Sequence, residues 1–392
     1  MTGMDPVTRI PESTPFDPRS NRAGRPLERP PGPAFRGRGA GFNPPNRFET
    51  IRRDPFFDGW EAPAGPDEAG AGPAAAAVPT TVAVDATRTV IARNDSPDVG
   101  FDRSINPYRG CEHGCVYCYA RPTHAWLGLS PGVDFETRLF AKPDAAALLR
   151  QELARPSYRC APIAMGTNTD PYQPVERERR ITREILKVLA DCNHPVTIVT
   201  KSALIERDID ILAPMAGKGL CTAALSVTTL ERTVARAMEP RAAAPARRLA
   251  AIRSLAEAGI PVRVMVAPVV PGITDHEMEA ILEAARDAGA SLASWILLRL
   301  PGEVKDLFAD WLDAHYPAKR NKALNTVRSL REGKLNNAEW GARMVGKGAF
   351  GKALDLRFAL AVRRLGLKRE GKALRTDLFA KPARDGRQMT LF

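Results

Sequence analysis

Apolar and polar residues fall into a regular rhythm from about residue 81 onward. Thr81 to Arg93 alternates, as a strand or hairpin leading into a core does. Ser104 to Tyr108 reads as a short strand and Ala161 to Gly166 as an apolar one. Arg177 to Asp191 puts Ile181, Ile185, Leu186 and Leu189 on one helical face. Val196 to Thr200, Thr222 to Val227, Val262 to Pro268 and Trp295 to Leu300 predict further strands. Helices are predicted around Arg207 to Met215, over Pro245 to Ala258 ahead of Gly259, and over Thr274 to Ala288 with Thr274 or Asp275 as cap. Strands that read as continuous apolar runs between helices belong to a parallel sheet covered on its outside. About six strand–helix units between residues 104 and 315 predict an α/β fold, an open, partial (βα)6 barrel of TIM type, with its functional face at the C-terminal ends of the strands.

Two regions lie outside that rhythm. Residues 1 to about 80 hold fifteen of the 34 prolines together with the run Ala74 to Ala77. Such a stretch buries too little apolar surface to offset its ordering entropy, so a disordered tail is expected. Its arginines, Arg22, Arg25, Arg29, Arg36 and Arg38, either touch nucleic acid or belong to a plain solvated tail. Residues 316 to about 380 read as helical and basic, anchored by Trp340, Met344 and Phe350 and interrupted at Gly346, Gly348 and Gly351. This extension is expected to cover the open side or the bottom of the barrel.

Charge sharpens the picture of that extension. The net charge is +12, yet Pro317 to Phe392 alone carries 19 Lys/Arg against six Asp/Glu. An excess of this kind suits a phosphate backbone or another polyanion, so DNA or RNA is an expected partner; a solvated basic helix face is the alternative. The first twenty residues are polar and proline-rich, unlike a secretory leader. No run of 18 apolar residues occurs, so no membrane span is expected. Few cysteines and a reducible motif fit the cytoplasm.

The chemistry concentrates in Gly110-Cys111-Glu112-His113-Gly114-Cys115-Val116-Tyr117-Cys118-Tyr119. Three thiolates spaced C-x3-C-x2-C on one loop can hold three irons of a cubane cluster and leave the fourth iron open to a small molecule. Clusters in electron carriers use four cysteines, so the deficit of one points to chemistry at the cluster. A zinc site would want a fourth ligand, for which His113 is at hand inside the loop. Disulfides would suit a secreted chain. Cys160, Cys192 and Cys221 are isolated and read as buried structural thiols.

This spacing, with the aromatic Tyr117 before the third cysteine, resembles the signature of radical S-adenosylmethionine (SAM) enzymes. The resemblance implies a [4Fe–4S] cluster on Cys111, Cys115 and Cys118, and SAM as the second cofactor. It implies that one electron from the cluster, supplied by an external donor, cleaves SAM to a 5′-deoxyadenosyl radical. The entry Asn106-Pro107-Tyr108-Arg109 and the strand ends Gly166 to Glu176, Thr200-Lys201-Ser202 and Leu225 to Thr229 are similar to the spore-photoproduct-lyase-related branch. That likeness spans roughly residues 81 to 315. It implies SAM contacts at Thr169 and Asp170, at Lys201 and at Ser226, with Tyr117 beside the cofactor. Asp170 would pair with the ammonium of SAM, Lys201 with its carboxylate and Ser226 with its ribose hydroxyls. The alternative is that these are loop polars capping the next helices. One departure stands out. The branch carries a cysteine hydrogen donor where Thr167 lies here, which puts repair of the spore lesion itself in doubt. Tyr108, Tyr119, Tyr172 and Cys160 are candidate substitutes.

Residues 381 to 392 read as a flexible tail. Its last five, Gln388-Met389-Thr390-Leu391-Phe392, resemble the peptide that replication and repair proteins insert into the sliding DNA clamp. The alternative is a tail folded back on its own core. Three functions therefore compete: a radical SAM enzyme acting on nucleic acid in a repair-like, lyase-like role, the same chemistry on a small molecule or protein, and a non-catalytic cluster-bearing adaptor on the clamp.

Overall fold

The computed structural model describes residues 35, 37–48 and 78–382. Its strands are β1 (Thr81–Val84), β2 (Ile91–Arg93), β3 (Arg103–Ile105), β4 (Tyr108–Arg109), β5 (Arg138–Ala141), β6 (Ile163–Met165), β7 (Val196–Thr200), β8 (Cys221–Ser226), β9 (Val262–Val269) and β10 (Leu292–Leu297). Its helices are α1 (Asp134–Thr137), α2 (Ala145–Leu153), α3 (Glu176–Arg179), α4 (Ile181–Asp191), α5 (Ile209–Gly217), α6 (Arg232–Met238), α7 (Pro245–Glu257), α8 (Met278–Asp287), α9 (Val304–His315), α10 (Arg320–Leu330), α11 (Ala342–Val345) and α12 (Gly348–Arg364).

The main sheet runs β10-β9-β8-β7-β6-β3-β2. Its six strands from β3 to β10 are mutually parallel, and β2 pairs antiparallel with β3 at the edge. Each parallel strand lies beside its predecessor in this sheet, which is the partial (βα)6 barrel expected, and β10 and β2 stay apart as open edges. Ile163, Ala164 and Met165 are all buried, because both faces of β6 are covered. Ile181, Ile185, Leu186, Val188 and Leu189 of α4 bury the face that the sequence marks as apolar.

Three features differ from the sequence reading. Thr81 to Arg93 is not a hairpin: β1 joins β5 and β4 in a small separate sheet, while β2 edges the barrel. The predicted helix from Arg177 is broken at Arg180, in the left-handed region at φ 54°. Residues 37–48 are not part of a loose tail, since Ala40, Phe42 and Asn46 are buried against the loop region after β4. The rest of the N-terminal stretch, and Gln388 to Phe392, lie outside the described residues.

The C-terminal extension packs on the outside of the barrel and runs on past the N-terminal ends of its strands. Arg357 of α12 forms a forked ion pair with Glu279 of α8 (2.8 and 2.6 Å), which docks the basic helix on the barrel wall. Beyond α12 the chain crosses beneath the barrel. Lys368 exchanges backbone hydrogen bonds with Ser291 and Ala293, Arg375 N reaches Gly219 O (3.0 Å), and Ala380 N reaches Cys192 O (2.9 Å). Phe379 packs against the rings of His194 and Tyr158 there. Among the described residues no helix is long and apolar enough to cross a membrane.

Candidate functional site

The cysteine loop leaves β4 and lies over the C-terminal ends of β6, β7 and β8. Asn106 starts the assembly: its Oδ1 accepts from the amides of Asn168 (2.9 Å) and Thr169 (3.3 Å) at the end of β6. The buried Gln173 then clamps the loop, taking Glu112 N (2.9 Å) and donating to Gly110 O (3.1 Å). Val116 N donates to Met238 O (3.0 Å) and Arg241 N to His113 O (3.2 Å), so the turn after α6 holds the other side. Arg121, fully buried, donates to the carbonyls of Cys115 (3.0 Å), Pro131 (3.2 Å) and Gly132 (2.8 Å) and to the carboxylate of Glu136. Glu136 in turn accepts from Gly39 N (2.9 Å) and Ala40 N (2.8 Å). A Cβ on Gly39 would sit 1.7 Å from Gly114 O, so only glycine lets residues 38–42 press against the loop.

Cys111, Cys115 and Cys118 are free thiols, the first two buried. Burial pushes all three up, and Cys111 rises further because Asp170, Cys115 and Cys118 lie near it. The His113 Nδ1 lies 3.3 Å from Asp170 Oδ2. Among the described residues no three His, Cys, Asp or Glu side chains converge on one ion position. Three thiolates match one iron each of a cubane, whereas the closed tetrahedron of a structural zinc takes four ligands.

A polar floor lies beside the loop. Lys201 Nζ, at the end of β7, donates to Ser226 Oγ (2.6 Å) and Ala267 O (3.1 Å), sits 3.7 Å from Glu239 and lies 5.8 Å above the centre of the Tyr117 ring. Ser226 Oγ also reaches Ala267 O (2.8 Å). Asp170 accepts from Thr200 Oγ1 (2.7 Å), Lys201 N (2.7 Å) and Tyr172 N (2.9 Å). Burial alone would raise its carboxyl; His113 and these hydrogen bonds outweigh burial and hold it below the ordinary carboxylate value. Thr169 is 2 % exposed and its hydroxyl donates to Tyr108 O (2.9 Å), so it anchors the strand end.

The structure thus gathers Tyr117, Asp170, Lys201 and Ser226 around the thiols, and turns Thr169 inward. It adds a hub that the sequence reading missed. Glu239, fully buried, accepts from the Tyr117 hydroxyl, from Thr228 Oγ1 (2.6 Å) and from Arg248. Burial would raise this carboxyl, but Arg248 and Lys201 bring it down to about 2. The signal was present in α7: Arg248 shares the inward face of Ala251, Ile252 and Leu255, and a charge on an apolar stripe needs a buried partner. Of the four candidate hydrogen donors, Tyr108 and Tyr172 are buried and bonded to Glu176 and Asp208, and Cys160 lies at the opposite end of β6. Tyr119 is 48 % exposed in the mouth, its hydroxyl on Thr167 O.

Residues 105–285 match the family model of the Radical SAM superfamily. This stretch of the chain is similar to a radical SAM domain. An uncharacterized protein of Mycobacterium tuberculosis is 39% identical over 219 residues, 55% of this chain and 64% of its own length. An uncharacterized protein of Methanocaldococcus jannaschii is 28% identical over 44% of this chain and 62% of its own. The chain therefore spans somewhat under two thirds of these relatives. Among solved structures, spore photoproduct lyase complexed with dinucleoside spore photoproduct superposes with a TM-score of 0.51 at 19% identity, over 73% of this chain and 80% of that one. This last likeness is one of fold.

The radical SAM superfamily uses a [4Fe–4S] cluster and SAM. The residues fit such a cluster. Three neighbouring unpaired thiols are held on a loop fixed by Gln173 on one side and by the turn after α6 on the other. Neutral while metal-free, the thiols would lose their protons to the charge of iron.

Proposed function

We propose that this chain is a radical SAM enzyme acting on nucleic acid, with Cys111, Cys115 and Cys118 as ligands of its [4Fe–4S] cluster. The observation that carries the reading is the three thiols beside the floor of Asp170, Lys201 and Ser226, at the functional end of the barrel. A cluster held there supplies one electron for reductive cleavage of SAM to a 5′-deoxyadenosyl radical. Lys201 presents its ammonium to the carboxylate of SAM, and Ser226 its hydroxyl to the ribose. The Asp170 oxygens are already engaged, so Asp170 fixes the ends of β6 and β7 and meets the ammonium of SAM at its edge. Glu239 and Arg248 hold Tyr117 and Lys201 in place from below.

Two features support a nucleic-acid substrate: the basic extension from Pro317 onward and a fold like that of an enzyme bound to a dinucleoside photoproduct. The radical would take a hydrogen from a base or sugar. With Thr167 in place of a thiol, spore-type reversal is not assigned, and Tyr119 is the phenol nearest the mouth. An external one-electron donor, a reducing cytoplasm and a sliding clamp bound at Gln388 to Phe392 complete the proposed setting. The test is binding of short DNA and RNA oligonucleotides to the reconstituted protein across salt. Affinity falling with salt, together with faster 5′-deoxyadenosine release, is expected; absence of any salt-dependent affinity contradicts a nucleic-acid substrate.

A further inference from the structure

Just past the C-terminal end of β10 the guanidinium of Arg299 has two others near it, those of Arg331 and Arg343, and one carboxylate, that of Asp98. Arg343 takes that carboxylate: it bonds to Asp98, which also accepts from Gly341 N (2.6 Å). Arg331 is buried at 1 % exposure and donates to the carbonyls of Leu298 (2.7 Å) and Arg343 (3.1 Å), while its Nε meets no acceptor. Arg299 lies with its guanidinium carbon 5.4 Å from the centre of the Tyr119 ring. Its Nε also meets no acceptor, and its Nη1 has Met344 Sδ at 4.0 Å. Among the described residues neither Arg299 nor Arg331 makes an ion pair. Burial, and then a neighbouring arginine in each case, lowers both guanidiniums, Arg331 to about 10.

Partly buried positive charge without a counter-charge is costly unless something else supplies it. This charge stands in the barrel mouth, against the residue that follows Cys118. We propose that Arg299 is a phosphate-binding residue, receiving a phosphodiester of a nucleic-acid strand laid across the mouth. The site rests on the nucleic-acid reading above and locates its contact. A guanidinium fork matches two phosphate oxygens, and the half-exposed Tyr119 ring beside it offers the adjoining base a stacking face, the pairing that grips single strands. Arg331 and Arg343 position Arg299 by repulsion and packing, and both belong to the basic extension.

The test compares wild type, Arg299→Gln and Arg299→Lys, all reconstituted, for binding a fluorescent single-stranded DNA 12-mer (about one OB-fold-sized site) across salt. Arg299→Gln is expected to bind about tenfold or more weakly, with a salt slope shallower by roughly one; Arg299→Lys falls between. Arg299 donates to no protein oxygen among the described residues, so the unfolding midpoint and iron content of Arg299→Gln should match wild type. Equal affinity of wild type and Arg299→Gln overturns the site while leaving the substrate reading intact. Weaker binding accompanied by lost iron or a lowered midpoint overturns it in favour of a structural arginine. Equal competition by an oligoglutamate of the same charge overturns the assignment to phosphate. No DNA binding by wild type overturns the substrate reading and this site with it.

Discussion

Glu239→Gln keeps the volume of the side chain and removes its charge. In the native protein that charge is fully buried and compensates Arg248, whose side chain is 2 % exposed, and helps hold Lys201 at 3.7 Å. Removing one member of a buried pair costs about 3–5 kcal/mol, because the other is left uncompensated. Linkage yields a similar figure. The carboxyl is held at about 2 against an ordinary 4.5, and at ~1.4 kcal/mol for each pH unit this is about 3 kcal/mol. The folded value lies below the unfolded one, so this stability is fully present above pH 4.5 and is lost as pH falls through about 2. Urea unfolding of metal-free protein at neutral pH should show the loss directly. Arg248→Met on top of Glu239→Gln should recover part of it, because the stranded charge is then gone. Reconstituted Glu239→Gln should also hold iron less well, since Tyr117, one residue before Cys118, loses its anchor. A loss below about 1 kcal/mol, with iron content unchanged, would refute the hub.

Other outcomes follow from the same geometry. Burial holds His194 and His124 at about 4; below pH 6.5 the unfolded chain takes protons that the folded one refuses. Stability should therefore fall from pH 6.5 toward 4, by up to about 3 kcal/mol per histidine; urea midpoints at about pH 7 and pH 5 that coincide would contradict this. Gly166, at φ +85°, has Val199 O 2.0 Å from where a Cβ would stand. Gly166→Ala should cost about 3 kcal/mol or more, and a calorimetric loss under about 1 kcal/mol would show that β6 can shift. Lys201→Met should keep the cluster spectrum and weaken SAM binding about tenfold or more; unchanged affinity by equilibrium dialysis would remove Lys201 from the SAM site.

The barrel was legible because its strands are buried on both faces and its helices carry clean apolar stripes, as α4 and α8 do. The three thiols were legible because their spacing is local. What escaped were pairings between distant segments. Thr81 to Arg93 has strand rhythm throughout, yet its two strands join different sheets, a choice made by β5 and β3 rather than by the stretch itself. Residues 37–48 have the composition of a tail and are held by Glu136, nearly a hundred residues on, through bonds to backbone that no side-chain pattern marks. Glu239 escaped because its partners Tyr117, Thr228 and Arg248 meet only when α6 and α7 fold over the loop, although Arg248 on an apolar face pointed to a buried carboxylate.

The central claim is that the three cysteines hold a cluster that cleaves SAM. The most direct measurement is 5′-deoxyadenosine formation by anaerobically reconstituted protein given SAM and a strong reductant, beside the Cys111→Ala, Cys115→Ala, Cys118→Ala triple variant. Product from wild type and none from the variant is the predicted result. Absence of product from wild type with a fully loaded cluster, with and without oligonucleotides, would contradict it and favour a cluster-bearing protein that does no radical chemistry.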